Sequence, residues 1–123
     1  MNLSDKQMIF AAKLGELLQR INNTGRRATM GDCFRSPEVP YGHPKSTHKQ
    51  RLAADVNLFV GGVYQQSSAA HVDLGEWWET LSGFYLPSGE KVTEADGGEY
   101  LEFCWGGRFN DGNHYSIMHE GVK

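Results

Sequence analysis

The sequence predicts an α+β domain in which a small antiparallel sheet is flanked by helices. Two apolar stripes at helical spacing and several short runs rich in β-branched and aromatic residues lead to this prediction. A chain of 123 residues with 39% hydrophobic residues can bury one modest core. Residues 1–123 are therefore expected to form a single domain, and we expect a monomer.

Two helices are predicted. The first covers residues 4–21, where Ser4 and Gln7 match a capping box. Its apolar stripe consists of Phe10, Leu14, Leu17, Leu18 and Ile21. The second helix covers residues 73–81, and its stripe consists of Leu74, Trp77, Trp78 and Leu81. Both stripes are expected to pack into the core.

Strands are predicted where β-branched and aromatic residues lie between turn residues. The predicted strands are 26–34, 52–60, 63–65, 100–105 and 114–118. Gly61 and Gly62 form a two-residue hairpin turn between the second and the third of them. Residues 35–49 are rich in proline and glycine and predict a long loop, where a functional site often lies. Residues 86–98 predict a surface loop.

The charge balance excludes some partners. Twelve basic against fifteen acidic residues give a net charge of -3, so the chain has no general attraction to nucleic acids or anionic lipid surfaces. Charged residues interrupt every apolar run near the N-terminus, which predicts no signal peptide and a cytoplasmic protein. No run approaches the length of a membrane span, so no membrane insertion is expected.

The two cysteines, Cys33 and Cys104, each stand beside aromatic residues and form no paired metal motif. Both are predicted to be reduced, buried thiols, with a disulfide between them left open. Three of the five histidines receive ordinary interpretations. His43 is expected on a surface loop, His71 beside the start of the second helix, and His119 in solvent, facing away from His114.

His48, Asp55 and His114 are the candidate metal ligands. His48 lies at the end of the proline-rich loop and Asp55 on the strand after it, so a turn between them can bring both side chains together. Imidazole nitrogen and carboxylate oxygen both suit zinc, and a catalytic zinc ion takes three protein ligands. His114 follows a glycine-rich turn and is the natural third ligand. Asp111, three residues earlier, can lie near the metal and act as a general base.

These residues resemble a known family of peptidases. Ser46 to Asp55 matches the signature Ser-x-His-x(4)-Ala-x-Asp, and Asp111 to His114 matches the signature acid-x-x-His. Both belong to the zinc D,D-carboxypeptidase and L-alanyl-D-glutamate peptidase family, and the chain is similar to its short phage endolysin branch. The resemblance covers about Met30 to Ile117. Arg51 stands where the family often has glycine.

The resemblance implies a zinc peptidase domain and a role for each residue. His48, Asp55 and His114 would bind one zinc ion, and Asp111 would be the catalytic base. Arg35, in the context Phe34-Arg35-Ser36, would bind a substrate carbonyl or carboxylate. Ser46 is expected to make a supporting hydrogen bond behind the ligands.

The implied substrate is the stem peptide of bacterial peptidoglycan, cut between L-Ala and D-Glu by an enzyme held in the cytoplasm until it is released to the cell wall. Two alternatives stay open. One is a D,D-carboxypeptidase or dipeptidase that trims D-Ala-D-Ala ends. The other is a catalytically silent, zinc-stabilised domain that binds wall peptides or forms part of a virion.

Overall fold

The computed structural model describes all residues from Met1 to Lys123 and contains two α-helices and eight strands. The helices are α1 (Leu3–Asn23) and α2 (Val72–Glu79). The strands are β1 (Arg27–Met30), β2 (Ala53–Val60), β3 (Val63–Gln65), β4 (Gly83–Tyr85), β5 (Lys91–Val92), β6 (Glu99–Leu101), β7 (Phe103–Trp105) and β8 (His114–Ile117). All pairings are antiparallel. The predicted α+β class is confirmed.

The strands form two sheets. The larger sheet has the order β1-β2-β8-β7, and β3 pairs with the far end of β2. The smaller sheet has the order β5-β4-β6. Within β2, which lies at the centre of the larger sheet, the side chains alternate between the two faces. Ala54, Val56 and Leu58 are buried in the core. Asp55 and Asn57 are only partly buried and lie on the opposite, outer face.

One hydrophobic cluster of 16 buried residues lies between the helices and the sheets. The predicted stripe of α1 packs into it through Phe10, Leu17 and Ile21, with Leu14 and Leu18 against its margin. Trp78 of α2 lies near its centre and makes edge-to-face contacts with Phe10, Phe103 and Tyr115. The core thus supports the inner face of the larger sheet and leaves the outer face free for a site.

The helix boundaries differ from the predictions at their caps. Asn2, and not Ser4, caps α1: its side chain accepts a hydrogen bond from Asp5 N, and the Asp5 carboxylate accepts one from Asn2 N. Asn2 and Asp5 thus form the capping box that was predicted for Ser4 and Gln7, two residues further on. Asparagine and aspartate can make the same pair of hydrogen bonds as serine and glutamine. α2 begins one residue earlier than predicted and ends at Glu79, two residues earlier.

The second half of the chain differs most from its prediction. Residues 100–105 do not form one strand. They bend at Glu102, so that β6 belongs to the smaller sheet and β7 to the larger sheet. Residues 86–98 are not entirely loop, because β5 lies within them. The strand β4 was not predicted at all.

The cysteines are both free, but only Cys104 is buried, and Cys33 is exposed. The prediction of a buried Cys33 was therefore wrong, because the chain after β1 runs over the surface and not through the core. His71 lies at the start of α2, as expected, is buried, and makes no capping hydrogen bond with its side chain. Neither helix combines the length and the apolar character needed to cross a membrane.

Candidate metal centre

His48, Asp55 and His114 come together on the outer face of the larger sheet. Asp55 and His114 are directly opposite each other on β2 and β8. His48 reaches the same point from the short 3-10 turn Thr47–Gln50 that precedes β2. One ligand atom from each residue can be chosen so that all three lie within 4.8 Å of one another. This group could hold a metal ion.

The distances fit a small tetrahedral cation. Asp55 Oδ1 lies 3.3 Å from His48 Nε2 and 3.6 Å from His114 Nδ1. Two ligands of a tetrahedral zinc ion, each about 2.1 Å from it, are about 3.4 Å apart. Asp55 Oδ1 is buried and has no hydrogen-bond partner. A buried carboxylate oxygen without a partner is costly, and a cation bound there would satisfy it.

The electrostatics favour the ionised form of Asp55. Burial raises the pKa of its carboxyl group, but the adjacent imidazoles of His114 and His48 outweigh that effect and lower the pKa from 3.8 to about 2. Asp55 is therefore a carboxylate at neutral pH, which is the protonation state that metal binding requires.

Packing fixes the two imidazole rings. The rings of His48 and His114 meet edge to face with centroids 5.1 Å apart, and Phe109 packs on the other side of His114 at 5.6 Å. The outer nitrogens, His48 Nδ1 and His114 Nε2, are buried without a hydrogen-bond partner. The rings are therefore held by their neighbours and not by a second polar residue.

Ser46 supports His48 through the backbone. Its Oγ accepts a hydrogen bond of 3.3 Å from His48 N and caps the 3-10 turn. The next two peptide groups are held by Leu52 N, which donates to Thr47 O, and by Arg35 N, which donates to His48 O. These hydrogen bonds hold the backbone segment that carries His48.

The segment after β1 is hydrogen-bonded to both backbone groups of Asp55. Gly31 N donates to Asp55 O at 2.7 Å, and Asp55 N donates to Asp32 O at 2.8 Å. Arg35 follows, with its guanidinium 3.3 Å from Asp32 and stacked over the Tyr41 ring. Arg35 Nε is buried and has no partner. One donor of Arg35 is therefore left without a partner in the folded chain.

Asp111 lies in the turn that leads into β8. His114 N donates to Asp111 O, and Asp111 N donates to Gly106 O, so the turn is closed at both ends. The Asp111 side chain is exposed and makes no hydrogen bond or ion pair. Asp111 is thus attached to His114 through a short backbone segment held by hydrogen bonds, and its carboxylate faces solvent.

Trp105 and Ser68 hold this turn in place, and the sequence pattern did not predict the contact of Ser68. Trp105 Nε1 donates to Gly112 O at 2.7 Å, and Ser68 Oγ accepts from Gly112 N at 3.0 Å. The Trp105 ring lies against Gly75 and Gly107, where a Cβ would overlap it. The glycines around Trp105 were the available signal, since a large ring beside glycines indicates close packing.

The remaining histidines lie outside the group. His43 is exposed on the loop, as expected, and its Nδ1 accepts a hydrogen bond from Lys45 N. His119 is also away from the ligands, but it is not fully in solvent: its Nδ1 lies 3.3 Å from Lys6 Nζ. His71 Nδ1 lies 2.8 Å from the Tyr115 hydroxyl inside the core.

Comparison of the chain with protein-family models, with curated proteins and with solved structures gave no match.

Proposed function

We propose that this protein is a zinc-dependent peptidase that cleaves the stem peptide of peptidoglycan between L-Ala and D-Glu. The observation that carries the proposal is the convergence of His48, Asp55 and His114 on one buried point. A structural zinc site uses four protein ligands, whereas three ligands leave a position for water or substrate. The spacing of the two sequence signatures supports the same assignment.

The residues around the ligands supply the other groups that peptide hydrolysis needs. His48, Asp55 and His114 would hold the ion, which when bound would polarise the peptide carbonyl and acidify a water molecule. Asp111 would remove a proton from the attacking water as the bond forms. Arg35 would donate a hydrogen bond to the carbonyl oxygen, where negative charge grows in the transition state. Its buried, unpartnered Nε is a donor without a partner in the folded chain.

The charge of the site suits this substrate. Two neutral imidazoles and the Asp55 carboxylate would leave a bound divalent cation with one net positive charge, while Arg35 is balanced by Asp32 at 3.3 Å. Stem peptides carry several carboxylates, on D-Glu and at their ends. We therefore expect anionic peptides to bind better than neutral peptides of the same length.

The test combines metal analysis with product analysis. Purified protein should contain or take up about one zinc ion per chain, and His48→Ala should lose it. His43→Ala is the matched control, because His43 is an exposed histidine on the same loop and lies outside the group. Peptidoglycan digested by the zinc-loaded protein should gain new amino termini on D-Glu, and mass spectrometry should detect stem peptides freed from the glycan.

Other results of the same experiments would indicate the alternative functions. Release of free D-Ala with the stem still attached would replace the endopeptidase with a carboxypeptidase that uses the same ligands. Stoichiometric zinc without any hydrolysis would indicate a silent, zinc-stabilised domain. Absence of zinc binding by the folded protein would reject the metal centre itself.

A further inference from the structure

The outer face of the larger sheet continues beyond the metal ligands as an open row of side chains. Asp55, Asn57 and Phe59 alternate along β2 and therefore lie on the same face. Thr29 and Arg27 of β1 are opposite Asn57 and Phe59, and Tyr64 of β3 is opposite Phe59 from the other side. Arg27, Thr29 and Tyr64 are exposed. The row is thus accessible from the ligands to the end of the sheet.

The row has two parts with different chemistry. The first is an amide pair, in which Asn113 Nδ2 donates to Asn57 Oδ1 at 3.4 Å. The second is an aromatic pair, Phe59 and Tyr64, with ring centroids 5.4 Å apart and planes tilted by 45°. Tyr64 is 44% exposed. Arg27 lies opposite Phe59, is exposed, and takes part in none of the ion pairs of the chain. The row therefore presents an exposed aromatic ring beside amide and guanidinium groups.

We propose that this row is a saccharide-binding subsite, which holds the N-acetylated sugar of the glycan strand to which the stem peptide is attached. A pyranose ring has an apolar face of C–H groups and a polar edge of hydroxyl and acetamido groups. The aromatic pair suits the former, and the Asn57–Asn113 amides and Arg27 suit the latter. A wholly apolar ligand would leave those amides and the guanidinium unpaired.

The spacing agrees with the bond that is cut. This step depends on the proposed function. Successive residues on one face of a strand are about 6.8 Å apart, so Asn57 lies about 7 Å and Phe59 about 14 Å along the strand from Asp55. The alanyl and lactyl groups lie between the scissile carbonyl and the sugar. Two extended units of this size span about 7 Å. The sugar ring would then fall between the amide pair and the aromatic pair.

The subsite would also explain how a small enzyme selects its bond. An enzyme that cuts next to the glycan must distinguish the attached end of the stem peptide from the free end. A sugar contact on one side of the metal centre would make that distinction, because only the attached end presents a sugar at the correct distance. The subsite should therefore contribute to substrate binding more than to the chemical step.

The first experiment measures binding without hydrolysis. Chitobiose, a dimer of N-acetylglucosamine, is titrated into isotope-labelled protein, and amide chemical shifts are followed. We expect shifts at Asn57, Phe59 and Tyr64, and about tenfold weaker binding in Tyr64→Ala. Tyr100→Ala is the matched control, since Tyr100 is an exposed tyrosine on the smaller sheet. Wild-type shifts confined to another surface, or no shifts at all, would overturn the subsite even if Tyr64→Ala does not fold.

The second experiment separates the subsite from the proposed function. The zinc-loaded protein is given a glycan-linked stem peptide and the same peptide without sugar. Tyr64→Ala should raise KM about tenfold for the linked substrate only, with kcat unchanged. An equal rise in KM for both substrates would reject the subsite while hydrolysis itself supports the function. Saccharide binding at this row without hydrolysis of either substrate would reject the peptidase and retain the saccharide site.

Discussion

At the scale of single residues, Asp111 and His114 lie in one turn but in different surroundings. His114 is buried and its ring faces Asp55, whereas Asp111 is exposed and has no partner. The backbone hydrogen bond between them fixes their separation. In the proposed mechanism, a base attached in this way could approach a substrate without competing for the metal.

This arrangement predicts the behaviour of Asp111→Asn. The amide keeps the size of the carboxylate but cannot take a proton, so hydrolysis should slow by about 10²-fold or more. Zinc content and thermal stability should not change, because the side chain contacts neither a ligand nor the core. Glu94→Gln is the control, because Glu94 is an exposed acidic residue outside the turn that carries Asp111. This variant should retain full activity. Near-normal turnover of Asp111→Asn would remove this residue from the mechanism.

Arg51 shows what the sequence could and could not tell at this scale. Its backbone has φ 57°, in the left-handed region that glycine adopts most readily. Glycine, which the peptidase family that the sequence resembles often has here, would adopt this conformation without strain. The arginine compensates in part by stacking over Phe34, with a distance of 4.4 Å to the ring centroid. The motif singled out His48 and Asp55 on either side of this position, and the two side chains do converge. It did not reveal the backbone conformation that lets the chain turn from His48 into β2.

At the scale of elements, the turn between β7 and β8 depends on close approach of backbone to backbone. A Cβ on Gly106 would overlap the carbonyl oxygen of Asp111 and would lie 2.7 Å from His114 Cβ. The Gly106 carbonyl also accepts the hydrogen bond from Asp111 N. The glycine therefore determines the shape of the turn that carries both residues.

Two glycine substitutions should consequently have opposite effects. Gly106→Ala should lower the free energy of unfolding by at least about 2 kcal/mol and weaken zinc binding, because the turn must move. Gly15→Ala should raise it by about 0.5–1 kcal/mol, since Gly15 is an exposed helical position with nothing near its Cβ. Urea denaturation of each variant measures both values. Equal effects from the two substitutions would contradict the close contact at Gly106.

The elements also show where sequence patterns were sufficient. The stripe of α1 and the strands β2, β3 and β8 were predicted nearly to the residue, because their periodicity reflects one buried face or a clear turn. The bend at Glu102 was not predictable, since residues 99–105 form an almost continuous run of strand-forming side chains. Leu101 pairs with β4 of the smaller sheet, whereas Phe103 pairs with β8 of the larger sheet. Only the relative positions of the two sheets determine this difference.

At the scale of the molecule, Arg26 and Asp73 connect the end of α1 with the start of α2. The guanidinium donates two hydrogen bonds to the carboxylate, of 3.0 and 2.7 Å. This contact with Arg26 lowers the pKa of Asp73 below its ordinary value of 3.8. As the pH falls toward 3.8, the unfolded chain therefore takes up a proton at Asp73 before the folded protein does. The free energy of unfolding decreases as the pH falls through this range.

The pair predicts a pH-dependent difference between the wild type and Asp73→Asn. Its stabilisation is fully present above pH 3.8 and is lost as the pH falls through the lowered pKa of the folded state. Because the carboxylate is largely exposed, we expect a difference of no more than about 1 kcal/mol at neutral pH. Thermal melts at a series of pH values measure it, with Glu90→Gln as an unpaired control. A difference that is unchanged in strong acid would reject the ion pair as its source.

The smaller sheet lies in the chain between Asp55 and His114, and its position limits how far this protein could be shortened. Tyr85 of β4 packs against Phe103 of β7, with ring centroids 5.8 Å apart, and Phe103 in turn packs on Trp78. β7 is also the neighbour of β8, which carries His114. Deleting residues 83–101 would remove Tyr85 from Phe103 and expose the Phe103 ring. It would also remove the segment of chain that leads into β7. The smaller sheet is thus no removable insertion, and a minimal metal-binding scaffold would have to keep it.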